Sequence, residues 1–180
     1  MRNFKTEGII IKRRNFKDSD RVLTVLTKTH GKIYVKATGV RKINSRRAGH
    51  IELLNHSILS LYKGNAFPIL TEATTINNFS GIKSSLADIG LSLHLCELVD
   101  GLCPENQENT RVFMLLKDAL SRMAEGVDNA SIINEFETQI LSILGYSSDL
   151  KKTYVVDTQD FIENILERKL KTQRIFAKLQ

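Results

Sequence analysis

The residues best suited to chemistry in this 180-residue chain are cations, and they crowd into one stretch. From Gly31 to His50 the sequence reads GKIYVKATGVRKINSRRAGH, which sets Lys32, Lys36, Arg41, Lys42, Arg46 and Arg47 around a single aromatic residue, Tyr34. Ammonium and guanidinium groups neutralise phosphates and release their counterions, and a ring between them offers a stacking surface for a base. Binding a polyanion is the chemistry such a set performs. Arg13 and Arg14, in the run GIIIKRR, extend it as outer contacts. The competing reading is a solvated basic surface, because one charged stretch is a common solubilising feature.

The elements that must position these residues follow from the spacing of apolar side chains. Between Lys32 and Thr38, Ile33, Val35 and Ala37 alternate with Lys32, Tyr34, Lys36 and Thr38, the period of a half-buried strand with its cations on the outer face. Arg41 to Gly49, punctuated by Asn44 and Ser45, reads as a solvated loop with room for one short helix. Residues 6–13 and 21–27 are β-rich and flank a polar turn from Arg14 to Asp20 that holds Phe16; Lys28 to Gly31 is a hairpin connection. Ile51 to Tyr62 and Ile69 to Ile76 complete five strands. Five short strands in a basic module predict a small closed or partly open barrel, of which the oligonucleotide-binding fold is the common nucleic-acid version.

Beyond Asn78 the apolar period lengthens to that of a helix. The spacing predicts helices on Ile82, Leu86, Ile89, Leu93, Cys96 and Val99; on Phe113, Leu116, Leu120 and Met123, with Thr110 as N-cap and Gly126 as stop; and on Ile133, Phe136, Ile140 and Leu144, ended by Gly145. Thr153 to Val156 reads as a short strand, and residues 158–178 as a last helix that turns basic at Arg168, Lys169, Lys171 and Arg174. The fold class is therefore α+β: a barrel over residues 1–78 and a helical bundle over 79–180. Charge divides in the same way. Residues 1–75 carry 15 Lys and Arg against 5 Asp and Glu, while residues 76–180 carry 11 against 15, so the halves suit different partners. The only apolar run near the amino terminus is Ile9 to Ile11, which predicts a cytoplasmic protein without a signal core or a membrane span.

Catalytic and metal chemistry find little support. His30, His50, His56 and His94 are scattered, and no spacing matches a zinc site or a hydrolase triad. His94 and Cys96 lie about 200° apart around a helix and cannot simply share a metal, so Cys96 and Cys103 read as small buried apolar groups. Asp18 and Asp20 are explained by turn chemistry as well as by acid–base catalysis. No glycine loop of the phosphate-cradling kind occurs, which leaves a protein that acts by binding, with no cofactor, no metal and no enzymatic activity.

The order of these features has a family likeness. GIIIKRRNFKDSD from Gly8, then Thr27 and Gly31, then KATGVRKINSRRAG from Lys36 together resemble the amino-terminal barrel of RecO, the bacterial recombination mediator. SLHLCELVDGLCPENQENTRVFMLLKDAL from Ser92, FETQILSILGYSSDL from Phe136 and ERKLKTQRIF near the end resemble the helical domain of that family. The resemblance implies a protein of DNA repair that binds single- and double-stranded DNA, anneals complementary strands and helps load the recombinase. It also implies RecR and the tail of single-stranded DNA-binding protein as partners, and a place on the nucleoid. It sets Lys36, Arg41 and Lys42 where the family's barrel presents basic residues to DNA, the residues that the strand reading reaches unaided. Many members carry a four-cysteine zinc module after the part matched by Leu144 to Leu150; Lys151 to Val156 has no cysteine, so metal binding is not carried over.

Two further expectations complete the reading. The helical half docks a protein through Arg168, Lys169, Lys171 and Arg174, a basic cluster suited to an acidic peptide with an apolar end. The alternative for the whole protein is a barrel module for RNA or the ribosome, which would make equal use of phosphates but read 2′-hydroxyls.

Overall fold

The computed structural model describes residues 3–146 and 158–172. Five strands, β1 (Asn3–Phe16), β2 (Asp20–Thr27), β3 (Gly31–Ala37), β4 (His56–Tyr62) and β5 (Ile69–Asn77), close into a barrel in the order β1-β2-β3-β5-β4. Among the described residues four helices follow: α1 (Leu86–Leu102), α2 (Thr110–Ala124), α3 (Asn129–Ile143) and α4 (Thr158–Leu166). The fold is the expected oligonucleotide-binding barrel with a helical domain. No described helix is long and apolar enough to cross a membrane.

β1 closes the barrel by serving two neighbours. Its first half, Asn3 to Ile9, pairs antiparallel with β4, and Gly8 to Phe16 pairs antiparallel with β2, with a register shift between Ile10 and Lys12 where the strand bends. β3 meets β5 in parallel at Lys36 and Ile69, supported by the Lys36 amide donating to the Pro68 carbonyl at 2.8 Å. Ile33, Val35 and Ala37, which the alternation marks, face inward and pack with Ile10, Leu23, Val25, Leu59, Leu61 and Leu70. Burying such aliphatic side chains stabilises the barrel by about 1.5–3 kcal/mol each.

Several boundaries differ from the expectations. β1 runs through Arg14 and Asn15 to Phe16, so the turn is only Lys17 to Ser19, entered with a positive φ of 51° at Lys17. The short helix expected before residue 50 is a single 3-10 turn at Ala48–Ile51, and β4 begins at His56 rather than at Ile51. The cap of α2 is Asn109, whose Oδ1 accepts from the Val112 amide at 3.1 Å; Thr110 instead donates its hydroxyl to the Lys28 carbonyl at 3.0 Å.

The chain divides into two compact units, one of residues 1–79 with 104–113, the other of residues 80–103 with 114–180. The barrel unit thus recovers a segment from the middle of the chain. The amide of Asn106 donates to the Lys32 carbonyl at 2.9 Å, and the Phe113 ring meets His56 edge-on at 5.9 Å. Gly31, at φ +66°, lies so close to this segment that a Cβ there would sit 2.0 Å from the Gln107 carbonyl oxygen. Only glycine fits, on both counts.

In the helical unit, Leu116, Leu120 and Met123 of α2 are buried as expected, and Gly126 and Gly145 take the left-handed conformation that ends a helix. α1 has no single buried stripe: His94, Leu95, Cys96, Leu98 and Val99 are all covered, while Leu86 is exposed. On α3 the inner positions are Ile132, Phe136, Ile140 and Leu141, so Ile133 and Leu144 are one step off the face and only half-buried. The last helix ends at Leu166, far short of 178, because Glu167 reverses the chain at φ +53°. The strand expected at Thr153 to Val156 lies outside the described residues.

Candidate nucleic-acid interface

Outward residues of three adjacent strands form a lattice on one side of the barrel. Register pairs Lys12 with Thr24 and Arg14 with Val22 across β1 and β2, then Thr24 with Tyr34 and Val22 with Lys36 across β2 and β3. Each row therefore has a long cation on β1, a small side chain on β2 and Tyr34 or Lys36 on β3. Val22 and Thr24 are buried beneath their taller neighbours, which leaves a groove of about 170 Å³ lined by Lys12, Arg14, Val22, Thr24 and Tyr34. The strands that carry its rails, β1 and β3, are two strand spacings apart, about 10 Å.

Two aromatic residues that the sequence reading left aside join this face. Phe16, next outward after Arg14 on β1, is 38% exposed and has the ammonium groups of Lys36 and Lys17 at 5.6 and 5.7 Å from its ring centre. Phe67, 42% exposed, meets Tyr34 edge-on at 5.9 Å. Extending the alternation of β1 past Arg13 puts Lys12, Arg14 and Phe16 on one face, and that was the signal for Phe16. No spacing in the sequence links Phe67 to Tyr34.

Asp20 ties the groove to the basic loop. Its Oδ1 accepts from the Gly39 amide at 2.8 Å and its Oδ2 lies 3.6 Å from the Lys36 ammonium. The amide of Gly39 is the main reason its carboxyl is held below the usual range; Lys36 and Lys17 add to this and burial opposes it. The loop is pinned further by two of its own arginines. Arg47 donates to the carbonyls of Leu70 and Thr38 at 2.6 and 2.7 Å, and Arg41 donates to those of Lys17 and Asp18 at 3.3 and 3.2 Å.

The expected nucleic-acid residues consequently sort into three groups. Arg14, Lys42 and Arg46 are exposed, with Tyr34 and Lys36 half-exposed on the groove wall. Arg41 and Arg47 hold the loop through backbone carbonyls, although Arg41 stays exposed. Lys32 and Arg13 do not join the face. Lys32 is buried, at 5% exposure, beneath the segment that bridges it to Glu105, and Arg13 turns to Glu52, which also meets Arg21. Adjacent residues on a strand point to opposite sides, so Arg13 and Arg14 could not both serve.

The cluster near the end of the chain is arranged otherwise. Glu97 of α1 accepts from the Arg168 guanidinium at 2.7 Å, the amides of Lys171 and Thr172 at 2.9 and 3.0 Å, and the Thr172 hydroxyl at 2.9 Å. Burial would raise its pKa, but these donors, Arg168 foremost, bring it down to about 2. Lys169 is paired with Glu163, which also accepts from the Leu170 amide at 2.8 Å. Arg168 and Lys169 are thus engaged within their own unit, Lys171 contributes its backbone, and Arg174 lies outside the described residues.

Among the described residues no group of three or more His, Cys, Asp or Glu is placed to hold a metal. The ring nitrogens of His94 lie 3.0 Å from the Thr172 hydroxyl and 2.8 Å from Glu137, and burial pushes the Cys96 thiol up to about 12.

Comparison with known proteins points in one direction. The family model described as Recombination protein O N terminal matches residues 1–79, and that described as Recombination protein O C terminal matches residues 83–174. The DNA repair protein RecO of Roseiflexus sp. (strain RS-1) is 37% identical over 149 residues, covering 83% of this chain and 52% of that protein. The RecO of Dehalococcoides mccartyi (strain ATCC BAA-2100 / JCM 16839 / KCTC 5957 / BAV1) is 34% identical over 150 residues, covering 83% and 59%. The RecO of Listeria welshimeri serovar 6b is 30% identical over 148 residues, covering 82% and 58%. The chain spans between half and three-fifths of the length of these curated relatives.

Proposed function

The chain belongs to the RecO family, and from that premise we propose that it is a non-enzymatic DNA-binding protein of repair and recombination. In this reading it holds single- and double-stranded DNA on the barrel unit, anneals complementary strands and helps load a recombinase. RecR and the tail of single-stranded DNA-binding protein are its partners, and it works in the cytoplasm on the nucleoid.

One observation carries the proposal: the groove along β2, with Lys12 and Arg14 on one rail and Tyr34 on the other. Cations spaced along a groove neutralise a phosphate backbone, and the rings of Tyr34, Phe16 and Phe67 give bases an apolar face. Such a surface lowers repulsion between two strands and aligns them without making or breaking a covalent bond, which is what annealing requires. The partner contacts rest on the family alone, because Arg168 and Lys169 are already engaged by Glu97 and Glu163.

The test is annealing of complementary strands coated with single-stranded DNA-binding protein, with matched RNA as competitor. Acceleration that DNA competes away better than RNA is the expected result. No acceleration, or preference for structured RNA, would replace this reading with the RNA-binding one.

A further inference from the structure

The basic loop carries a residue that its chemistry does not ask for. Ile43, between Lys42 and Asn44, is fully exposed. It sits at the tip of a turn closed by the Ser45 amide donating to the Lys42 carbonyl at 3.0 Å, so Ile43 and Asn44 are its two central residues. Turn tips take Asn, Asp, Gly, Pro or Ser for their backbone preferences, and an isoleucine there neither assists the turn nor packs on anything.

The turn is also held still. Gly39 is anchored to Asp20, the Arg41 amide donates to the Ser19 carbonyl at 2.9 Å, and Arg47 spans Thr38 and Leu70 behind it. Arg41, Lys42 and Arg46, all exposed, surround the tip. The Lys42 and Arg46 side chains have no ion-pair partner among the described residues.

We propose that Ile43 is an apolar wedge that enters between adjacent bases of a nucleic acid whose phosphates the surrounding cations hold. This rests on the nucleic-acid reading of the barrel unit and adds a second way of gripping the ligand, through the base stack. The occupant follows from charge: cations this close to an apolar tip repel a basic partner and draw in the one polyanion whose interior is apolar and layered. Side chains such as Ile, Leu, Phe and Met part base steps in this manner and kink the strand they enter. The pinned turn matters because a tip that moved would lose the ordering entropy on each insertion.

The experiment uses the full chain and a DNA duplex carrying 2-aminopurine at a central step, whose emission rises when it loses a stacked neighbour. The unaltered protein raises the emission on binding. Ile43→Ala and Ile43→Asn abolish the rise and weaken binding roughly tenfold through lost apolar burial, with the slope of affinity against salt unchanged; Ile43→Leu restores the emission. The wedge is overturned if Ile43→Ala matches the unaltered protein in both emission and affinity while binding and its salt slope persist. It is overturned as well if the variant loses salt slope, since Ile43 would then serve only to place the cations. No binding by the unaltered protein would overturn the wedge together with the reading it rests on.

Discussion

Arg14, Lys42 and Arg46 in the barrel unit and Arg168 and Lys169 in the helical unit are the same chemistry in opposite states. The first three are exposed along a groove and a pinned loop. The other two are matched by Glu97 and Glu163, and the amides beside them are taken up as well. The barrel unit spends its acids on the frame of its site, Asp20 fixing the loop and Glu52 drawing Arg13 and Arg21 away, and leaves the outer cations to a ligand. The helical unit spends its acids on the cations themselves. A basic cluster in a sequence is therefore a count of charges, and what it can bind depends on which carboxylates fold back onto it.

The largest effect should come from breaking the matched side. Glu97→Ala leaves Arg168, Lys171 and Thr172 without their acceptor; of the three donors Thr172 is the buried one, so the helical unit should lose about 1–3 kcal/mol, the loss for one buried group left without its partner. Thermal unfolding followed by circular dichroism would report it, and an unchanged midpoint would dissolve the contrast drawn above. Acid sharpens the same test. The carboxyl of Glu97 is held at about 2 against an ordinary 4.5. Its contribution is complete above the ordinary value and drains away as pH falls from 4.5 toward 2. Glu97→Gln should flatten the fall in stability across that window.

Next in size is the groove and loop. With about four cations on the phosphates of a single strand, the logarithm of affinity should drop by ~2.8 per decade of salt, about fifty-fold between 50 and 200 mM. Replacing Arg14, Lys42 and Arg46 together with Ala should remove about two units of that slope without altering the fold. A triple variant with the original slope would move the ligand off this face.

Tyr34→Ala should weaken single-strand binding by ~1–3 kcal/mol at constant slope, since a ring contributes stacking and no charge. Fluorescence anisotropy at two salt concentrations separates this from the loss of a cation.

The smallest effect is the most pointed. Lys169→Ala should leave the salt slope on single-stranded DNA within about 0.2 of its starting value, because an ammonium already paired releases almost no counterions. A drop near 0.7, one full contact, would show that the ion pair with Glu163 opens to DNA.

How much of this was legible in the sequence depends on how far the deciding contact lies along the chain. The strand through Ile33, Val35 and Ala37 was readable because period-two alternation is local. The stripe of Leu116, Leu120 and Met123 was readable for the same reason. The burial of Lys32 was not legible because the segment that covers it, Glu105 to Gln107, is more than seventy positions away. The pairing of Arg13 was not legible because Glu52 is thirty-nine positions away, while its neighbour Arg14 is exposed. Phe16 was missed for a different reason: a polar stretch with Asn15, Lys17 and Asp18 reads as a turn, yet pairing with β2 as far as Asp20 keeps the strand going. On α1 the inward face was unreadable in principle, because a helix covered on several sides carries no stripe to find.

The return of residues 104–113 to the barrel has a consequence in time rather than in space. A ribosome makes the five strands first, and an autonomous barrel could close as soon as Asn77 emerged. Here the site of Gly31, the Lys32 carbonyl and the His56 ring all wait for partners at Gln107, Asn106 and Phe113. The whole of α1 must therefore be synthesised before the unit ahead of it is finished, and a nascent chain paused anywhere between residues 79 and 104 presents a barrel unit without its last segment and a helix that still lacks α3 and α4. Half-made surfaces of that sort are where chaperones and proteases act on a chain. The expected signature is a protein whose yield responds more sharply to translation speed and to holding chaperones than its barrel, taken as a fold, would suggest.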